Sequence, residues 1–204
     1  MVKKADHPKH LIETALKLAA ETGWRDLSLA EIAEAAELPL GKAYQVFSSK
    51  QAILEAFARG IDAEVLADET MEQDWDQDGS SARDRLFDVM MRRFDALQPY
   101  KGGLGNILYD QARDPFGALC GLRQLLRSMA AMLEAAGISS SGVKGLVRTK
   151  GLAAIYLATV RIWLRDDSAD MAKTMASLDG HLRRVEALAG RLGGRRGPIG
   201  ESTV

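Results

Sequence analysis

Lys42, Tyr44 and Gln45 put an ammonium, a phenol and a carboxamide within one helical turn, in the stretch LGKAYQVF. These groups can read base edges. A glutamine amide can make two hydrogen bonds to adenine, and a lysine can donate to guanine. Leu38, just before the stretch, falls on one helical face with Ala43 and Phe47 and would hold the stretch to a core. Lys42, Tyr44 and Gln45 would then face outward. Leu40 heads the stretch. Gly41 has no side chain, so the backbone there can come close to a phosphate. Lys50 falls in the first turn of the next helix, where its charge and the free amides could hold a phosphate.

Such a reading head must be short, protruding and braced. Ser28-Leu-Ala-Glu31 is a capping box, in which Ser28 accepts from the Glu31 amide and Glu31 reaches back. Leu27 and Ile32 stand where a hydrophobic staple would pack, and Ser28 is also a candidate phosphate anchor. The helix begun there must stop near Ala36, because Pro39 interrupts it and suits the first position of a new helix. That new helix covers about 40–46. Ser48-Ser-Lys-Gln51 reads as a second capping box after Phe47. Upstream, Leu11, Ala15, Leu18 and Ala19 form a stripe that Gly23 ends. Two short helices joined by a tight turn and braced by flanking helices make a helix-turn-helix.

From His10 to about Gly60 the chain resembles the TetR family of transcriptional regulators. The residues that carry this are Gly23-Trp24, Leu27-Ser-Leu-Ala-Glu-Ile-Ala-Glu-Ala-Ala36, Leu38-Pro-Leu-Gly-Lys-Ala-Tyr-Gln-Val-Phe47 and Ser49-Lys50. The resemblance implies an all-helical homodimer of about nine helices. It also implies operator binding by the third helix and a C-terminal cavity whose ligand releases the DNA. Leu40 stands where the family commonly has a polar or basic residue, and Val46 where it often has His or Tyr. Each lost base contact costs about 1–3 kcal/mol. The first sixty residues carry eight Lys or Arg and eight Asp or Glu. Positive charge for DNA must therefore be arranged on one face rather than summed.

The rest of the chain also shows helical periodicity, so the fold class is all-α. A three-helix domain over 5–55 is expected to precede a helical ligand-binding and dimerising domain over 56–192, with a disordered tail over 193–204. The acidic, glycine-containing stretch 67–82 reads as a linker, and Tyr100–Asn106 (YKGGLGN) as a loop before a short helix over 107–113. Long helices follow over about 116–136, 143–165 and 168–192. Met90, Met91, Phe94, Tyr156 and Trp163 are the candidate ligand-pocket residues. Met171, Met175, Leu178, Leu182, Val185, Ala189 and Leu192 repeat at 4, 3, 4, 3, 4, 3, an a/d seam. It packs either on its own domain or against a second copy, with Met175, Leu178, Leu182 and Val185 as the candidate dimer contacts. The segments Leu86–Pro99 and Ile162–Leu182 more loosely resemble the TetR-like lipid-binding accessory proteins of ubiquinone biosynthesis. Those proteins keep the fold without reading DNA, which implies a lipid-sized apolar cavity.

Several classes of chemistry find no support. His7, His10 and His181 are scattered without metal-ligand spacing, and Cys120, the single cysteine, reads as a buried thiol. Asp166, Asp167 and Asp170 surround a helix start, where capping accounts for carboxylates. No phosphate loop, nucleophile elbow or zinc-protease motif is present, so neither an enzyme nor a cofactor is expected. The N-terminal residues lack a signal-peptide pattern, and no apolar run reaches the ~18 residues of a membrane span. The expectation is a cytoplasmic, dimeric, ligand-responsive regulator of the repressor type. Its partners would be a double-stranded operator, a second copy and a small apolar or lipid-like ligand. The alternative is a lipid-binding accessory protein of isoprenoid-quinone biosynthesis.

Overall fold

The computed structural model describes residues 7–67 and 79–193, with 189–193 as backbone. Every regular element among them is helical. Helix α1 spans His7–Thr22, α2 Leu29–Ala35, α3 Leu40–Val46 and α4 Lys50–Leu66. Then come α5 (Ala82–Leu97), a 3-10 turn (Gln98–Tyr100), α6 (Lys101–Gln111), α7 (Pro115–Ala135), α8 (Gly142–Trp163) and α9 (Ala172–Gly193). No helix among the described residues is long and apolar enough to cross a membrane.

Helices α1–α3 pack with the first half of α4. Leu11, Ala15 and Ala19 of α1 close over Ile32, Ala43 and Ile53, all essentially inaccessible to solvent. The same apolar cluster continues into the larger body through Phe94, Leu97, Ile107 and Trp163. A second cluster joins Val65 to Val89, Met90, Met129, Met132 and Leu178. Helix α4 therefore serves both cores along one face: Ile53, Leu54, Phe57, Ile61 and Val65. The domain boundary expected at residue 55 falls inside this continuous helix. The 67–82 linker is described only at its ends, since 68–78 and the tail 194–204 lie outside the described residues.

The segment expected to be a loop, Tyr100–Asn106, is mostly helix, and α6 begins at Lys101 rather than near Ile107. Its glycines suggested a break, yet one of them permits a close approach. A Cβ on Gly103 would stand 2.4 Å from the carbonyl oxygen of Leu16. Helices α1 and α6 can touch at this distance only because that carbon is absent. At the other end, α9 starts four residues later than its apolar spacing suggested. Buried Asp166 organises the preceding turn by accepting from the Thr174 amide at 2.8 Å and the Thr174 hydroxyl at 2.7 Å. The Ser168 hydroxyl, and then these bonds, hold its carboxyl well below the usual aspartate range. Cys120 is half-buried rather than buried.

The heptad seam divides. Met171 precedes α9, at φ 52°, and packs into the first cluster. Leu178 and Leu182 are buried within their own chain, Met175 is half-buried and Val185 is exposed. Leu178 and Leu182 therefore do not present a face to a second copy. The side chains of Ala189 and Leu192 lie outside the described residues.

Candidate nucleic-acid interface and ligand cavity

Helix α2 starts as its sequence dictates. Ser28 accepts from the Glu31 amide at 3.2 Å, and a Glu31 carboxylate oxygen accepts from the Ser28 amide at 2.7 Å and the Ser28 hydroxyl at 2.6 Å. These bonds from Ser28 lower the Glu31 carboxyl pKa. Leu27 and Ile32 are both buried, as a staple requires. Helix α2 ends with Glu37 at φ 53°, while the Leu38 amide bonds the Ala33 carbonyl at 2.9 Å. That reversal, usually made by glycine, turns the chain into α3. Pro39 caps α3 rather than opening it. The next cap is Ser49, which accepts from the Ala52 amide at 3.2 Å. The expected Ser48/Gln51 box is therefore replaced by a single cap from Ser49, one residue later, since Ala52 has no side chain to reach back.

In α3 only Ala43 is fully buried. Leu38 and Val46 are half-buried and Phe47 closes the inner face. Lys42 and Gln45 are exposed, as are Tyr44 at 62% and Leu40 at 50%. A Cβ on Gly41 would meet nothing within 4 Å. Internal packing therefore does not require this glycine. Lys50 is placed differently from the free phosphate anchor its position suggested. Its ammonium donates to the carbonyls of Trp24 at 2.9 Å and Arg25 at 2.7 Å, and lies 5.4 Å from the centre of the Trp24 ring. Burial lowers its pKa against the opposing pull of Asp26 and Asp110.

The same loop is gripped from α6. An Asp110 carboxylate oxygen accepts from the amides of Trp24 at 2.8 Å and Arg25 at 2.9 Å, which depresses its pKa. Asn106 donates to the carbonyls of Ala19 at 2.9 Å and Ala20 at 3.3 Å, at the end of α1. On the other side of α1, His10 Nε2 donates to the Ala36 carbonyl at 3.2 Å. The short helices are thus fixed by polar contacts at both ends of their bracing helix.

Helices α4–α8 line a half-open cavity of about 140 Å³. Its apolar wall includes Leu54, Phe57, Leu97, Leu104, Leu125 and Val160. Tyr156 and Trp163, two of the expected pocket residues, line it. Met90 and Phe94 are instead buried in the cores and Met91 packs between them, so these three do not form its wall. Trp163 is oriented by donating its Nε1 to Gln98 at 2.7 Å. Arg93 faces the cavity from α5. It is ion-paired with Asp62 of α4, whose other carboxylate oxygen accepts from Ser128 of α7 at 2.6 Å.

Residues 11–57 match the bacterial regulatory proteins of the tetR family. A second family, COQ9, matches residues 119–189. No curated protein matches the chain. Solved structures share the fold across nearly the whole length. One is a TetR transcriptional regulator from Nitrosomonas europaea, with 21% identity and a TM-score of 0.69 over 88% of this chain and 98% of that one. Another is a TetR regulator from Rhodococcus sp. RHA1, at 15% identity and a TM-score of 0.58, covering 90% and 97%. The Thermus thermophilus repressor FadR, solved with lauroyl-CoA, shows 16% identity and a TM-score of 0.54 over 97% and 99%.

The TetR-type segment thus carries the helix-turn-helix read from its caps. What sequence reasoning missed are the residues outside it that hold it in place. Asp110 and Asn106 are 85 or more positions from the groups they bond. Arg93 and Asp62 lie on separate helices, and no local spacing couples them. A polar residue inside an apolar stripe was the one available signal: Arg93 stands between Met90 and Phe94 on the buried face of α5.

Proposed function

We propose that this chain is a dimeric, ligand-responsive transcriptional regulator that represses by binding operator DNA in the cytoplasm. The observation that carries this is α3, a seven-residue helix anchored by Ala43 and offering Lys42, Tyr44 and Gln45 to solvent. Such a helix fits a major groove. Lys42 and Gln45 donate to base edges, Tyr44 and Leu40 make the apolar contacts, and Gly41 lets the backbone approach a phosphate. Ser28, at the head of α2, sits at a second phosphate.

Ligand response follows from shared helices. The cavity is walled by α4 and α6, through Leu54, Phe57, Leu104 and Ile107 among others. The same two helices hold the loop after α1 through Lys50 and Asp110. A ligand that shifts α6 against α4 shifts the reading head with it. The two heads of a dimer then change spacing, and operator affinity falls.

The test is DNA binding at stated salt, using DNA upstream of the chain's own operon. Saturable, sequence-specific binding that the Lys42→Ala/Gln45→Ala variant loses is expected. Binding with no preference over random DNA at low salt would overturn the reading. The COQ9 match over 119–189 favours a second reading, a lipid-binding accessory protein. The cavity of about 140 Å³ weighs against it, because pockets for drug-sized ligands already run to about 300–1,000 Å³. Mass spectrometry of the purified protein complements the DNA test: a co-purifying isoprenoid lipid together with no specific DNA binding favours the accessory reading.

A further inference from the structure

Gln124 lies on the buried face of α7, in line with Gly117 and Ser128. It is 8% exposed and lines the cavity. Its carboxamide makes no hydrogen bond within the protein. Among the described residues, the fully enclosed side-chain nitrogens and oxygens that lack a partner belong to Arg83 and Arg93. Neither polar atom of Gln124 is shut in this way, so both the amide oxygen and the amide nitrogen open onto free space. Gly117 and Ser128 on the same face are buried, and the free space that Gln124 borders is the cavity.

A buried amide is costly unless its donor and its acceptor are both met. The polar groups nearby are committed elsewhere. Ser128, one turn further on, gives its hydroxyl proton to Asp62, and Asp62 also holds Arg93. Gln111 turns towards Gly121, with its Oε1 3.2 Å from where a Cβ would stand there. The demand therefore falls on a ligand, and it has a definite shape. A carboxamide shows a donor beside an acceptor, so an edge with an acceptor beside a donor satisfies both at once, as an adenine edge does for glutamine. A ketone meets the donor alone.

Charge and size narrow the ligand further. Arg93 is neutralised by Asp62, and Glu55 adds a carboxylate to the wall. An anion finds no net positive charge here. A cation would lose hydration against Leu54, Phe57, Leu104 and Val160 in exchange for one half-buried carboxylate, a poor exchange in apolar surroundings. The volume of about 140 Å³ is close to that of an engineered apolar cavity of about 150 Å³ that holds benzene. One six-membered ring therefore fits, and partly exposed Leu108 and Leu157 leave room for a substituent to project.

We infer that the cavity takes a small, neutral, largely apolar molecule that presents an amide edge, one donor beside one acceptor, to Gln124. This rests on the ligand-responsive reading and specifies its effector class. Four ring-matched probes test it: 2-piperidone, which carries the full edge, cyclohexanone, methylenecyclohexane and cyclohexylammonium. Each is titrated against the unmodified chain and against Gln124→Met, which keeps the stem and removes the amide. Comparing the two proteins cancels each probe's own hydration. The substitution should weaken 2-piperidone about tenfold or more, the worth of two neutral hydrogen bonds. It should weaken cyclohexanone less and leave methylenecyclohexane unchanged or tighter. Thermal stability of Gln124→Met without ligand should be unchanged or raised, because the fold does not use the amide. In the unmodified protein the Gln124 side-chain amide protons should shift with 2-piperidone and not with methylenecyclohexane. Equal losses for 2-piperidone and cyclohexanone, tighter binding of cyclohexylammonium, unmoved amide protons, a destabilised Gln124→Met, or no binding of 2-piperidone would each overturn the inference. DNA binding is measured separately on the same preparation. Specific DNA binding without amide preference removes only the effector class. Amide preference without DNA binding removes the regulator and leaves the cavity chemistry standing.

Discussion

Lys50 shows how one side chain can be misplaced by position alone. At the start of a helix, a lysine and free amides suggest a phosphate site. Here two donors of its ammonium go to the Trp24 and Arg25 carbonyls, so its role is to tie α4 to the loop after α1. Replacing it by methionine, which keeps most of the stem, should cost about 1–2 kcal/mol, because hydrogen bonds from charged groups are worth about that or slightly more. Urea unfolding measures the loss. Each phosphate contact adds about one to the slope of log K against log salt. The Lys50→Met variant should therefore show an unchanged salt slope for DNA, whereas Lys42→Ala, which removes a base-edge contact, should weaken specific binding by about 1–3 kcal/mol and relax sequence preference. A slope that falls by one in Lys50→Met, with stability intact, would restore it as a phosphate contact. Neighbouring side chains differed in how far they could be read. Ser28 and Glu31 bond within three residues, so their spacing alone revealed them. The partners of Lys50 lie 25 and 26 residues away, and no local pattern encodes that distance.

Among the elements, α2 and α3 were legible almost to the residue, because a capping box and a proline act locally. Helix α6 was not. Gly102, Gly103 and Gly105 lower helix propensity by up to about 1 kcal/mol each relative to alanine, and propensity is all a single chain segment displays. The compensating term is tertiary, and it is unequal among the three. Gly103 lies against the Leu16 backbone, whereas a Cβ on Gly102 would meet only the Ala20 Cβ at 3.8 Å. The two positions should therefore respond oppositely to alanine. Gly102→Ala should leave stability unchanged or raise it by up to about 1 kcal/mol. Gly103→Ala should lower it by about 1–3 kcal/mol, since α1 and α6 must separate to admit the methyl group. Thermal or urea unfolding of the pair reads this directly. Equal effects would mean that α1 and α6 do not meet closely in solution.

For the whole molecule, the proposed dimer requires a face that a second copy can cover. The seven-residue repeat in α9 pointed to Leu178 and Leu182, but a repeat reports only that an apolar stripe needs a partner. The partner for those two leucines is their own chain: both lie in the second core, with Val89 and Met132. Among the exposed apolar side chains, which also include Phe116, Leu119 and Leu122 of α7, Val143, Leu146 and Val147 of α8 form a stripe beside Val185 and Leu188 of α9. Val143 is 81% exposed and Val147 66%. Leu146 and Val147 follow Val143 by three and four positions, on the face of α8 opposite buried Leu152, Thr159 and Trp163. A two-fold dimer placing α8 and α9 against their copies would bury this stripe in a self-complementary interface, for which about 800 Å² per partner is typical. Charge at exposed and buried sites should then have different outcomes. Leu146→Glu/Val185→Glu should yield a folded monomer, with helical content retained by circular dichroism and the mass halved by sedimentation. Leu178→Glu should unfold the chain instead, because it places a carboxylate in an apolar core without a partner. If the double variant stays dimeric, the copies meet elsewhere and the exposed α8 face needs another explanation. If Leu178→Glu gives a folded monomer, the α9 seam is the interface after all.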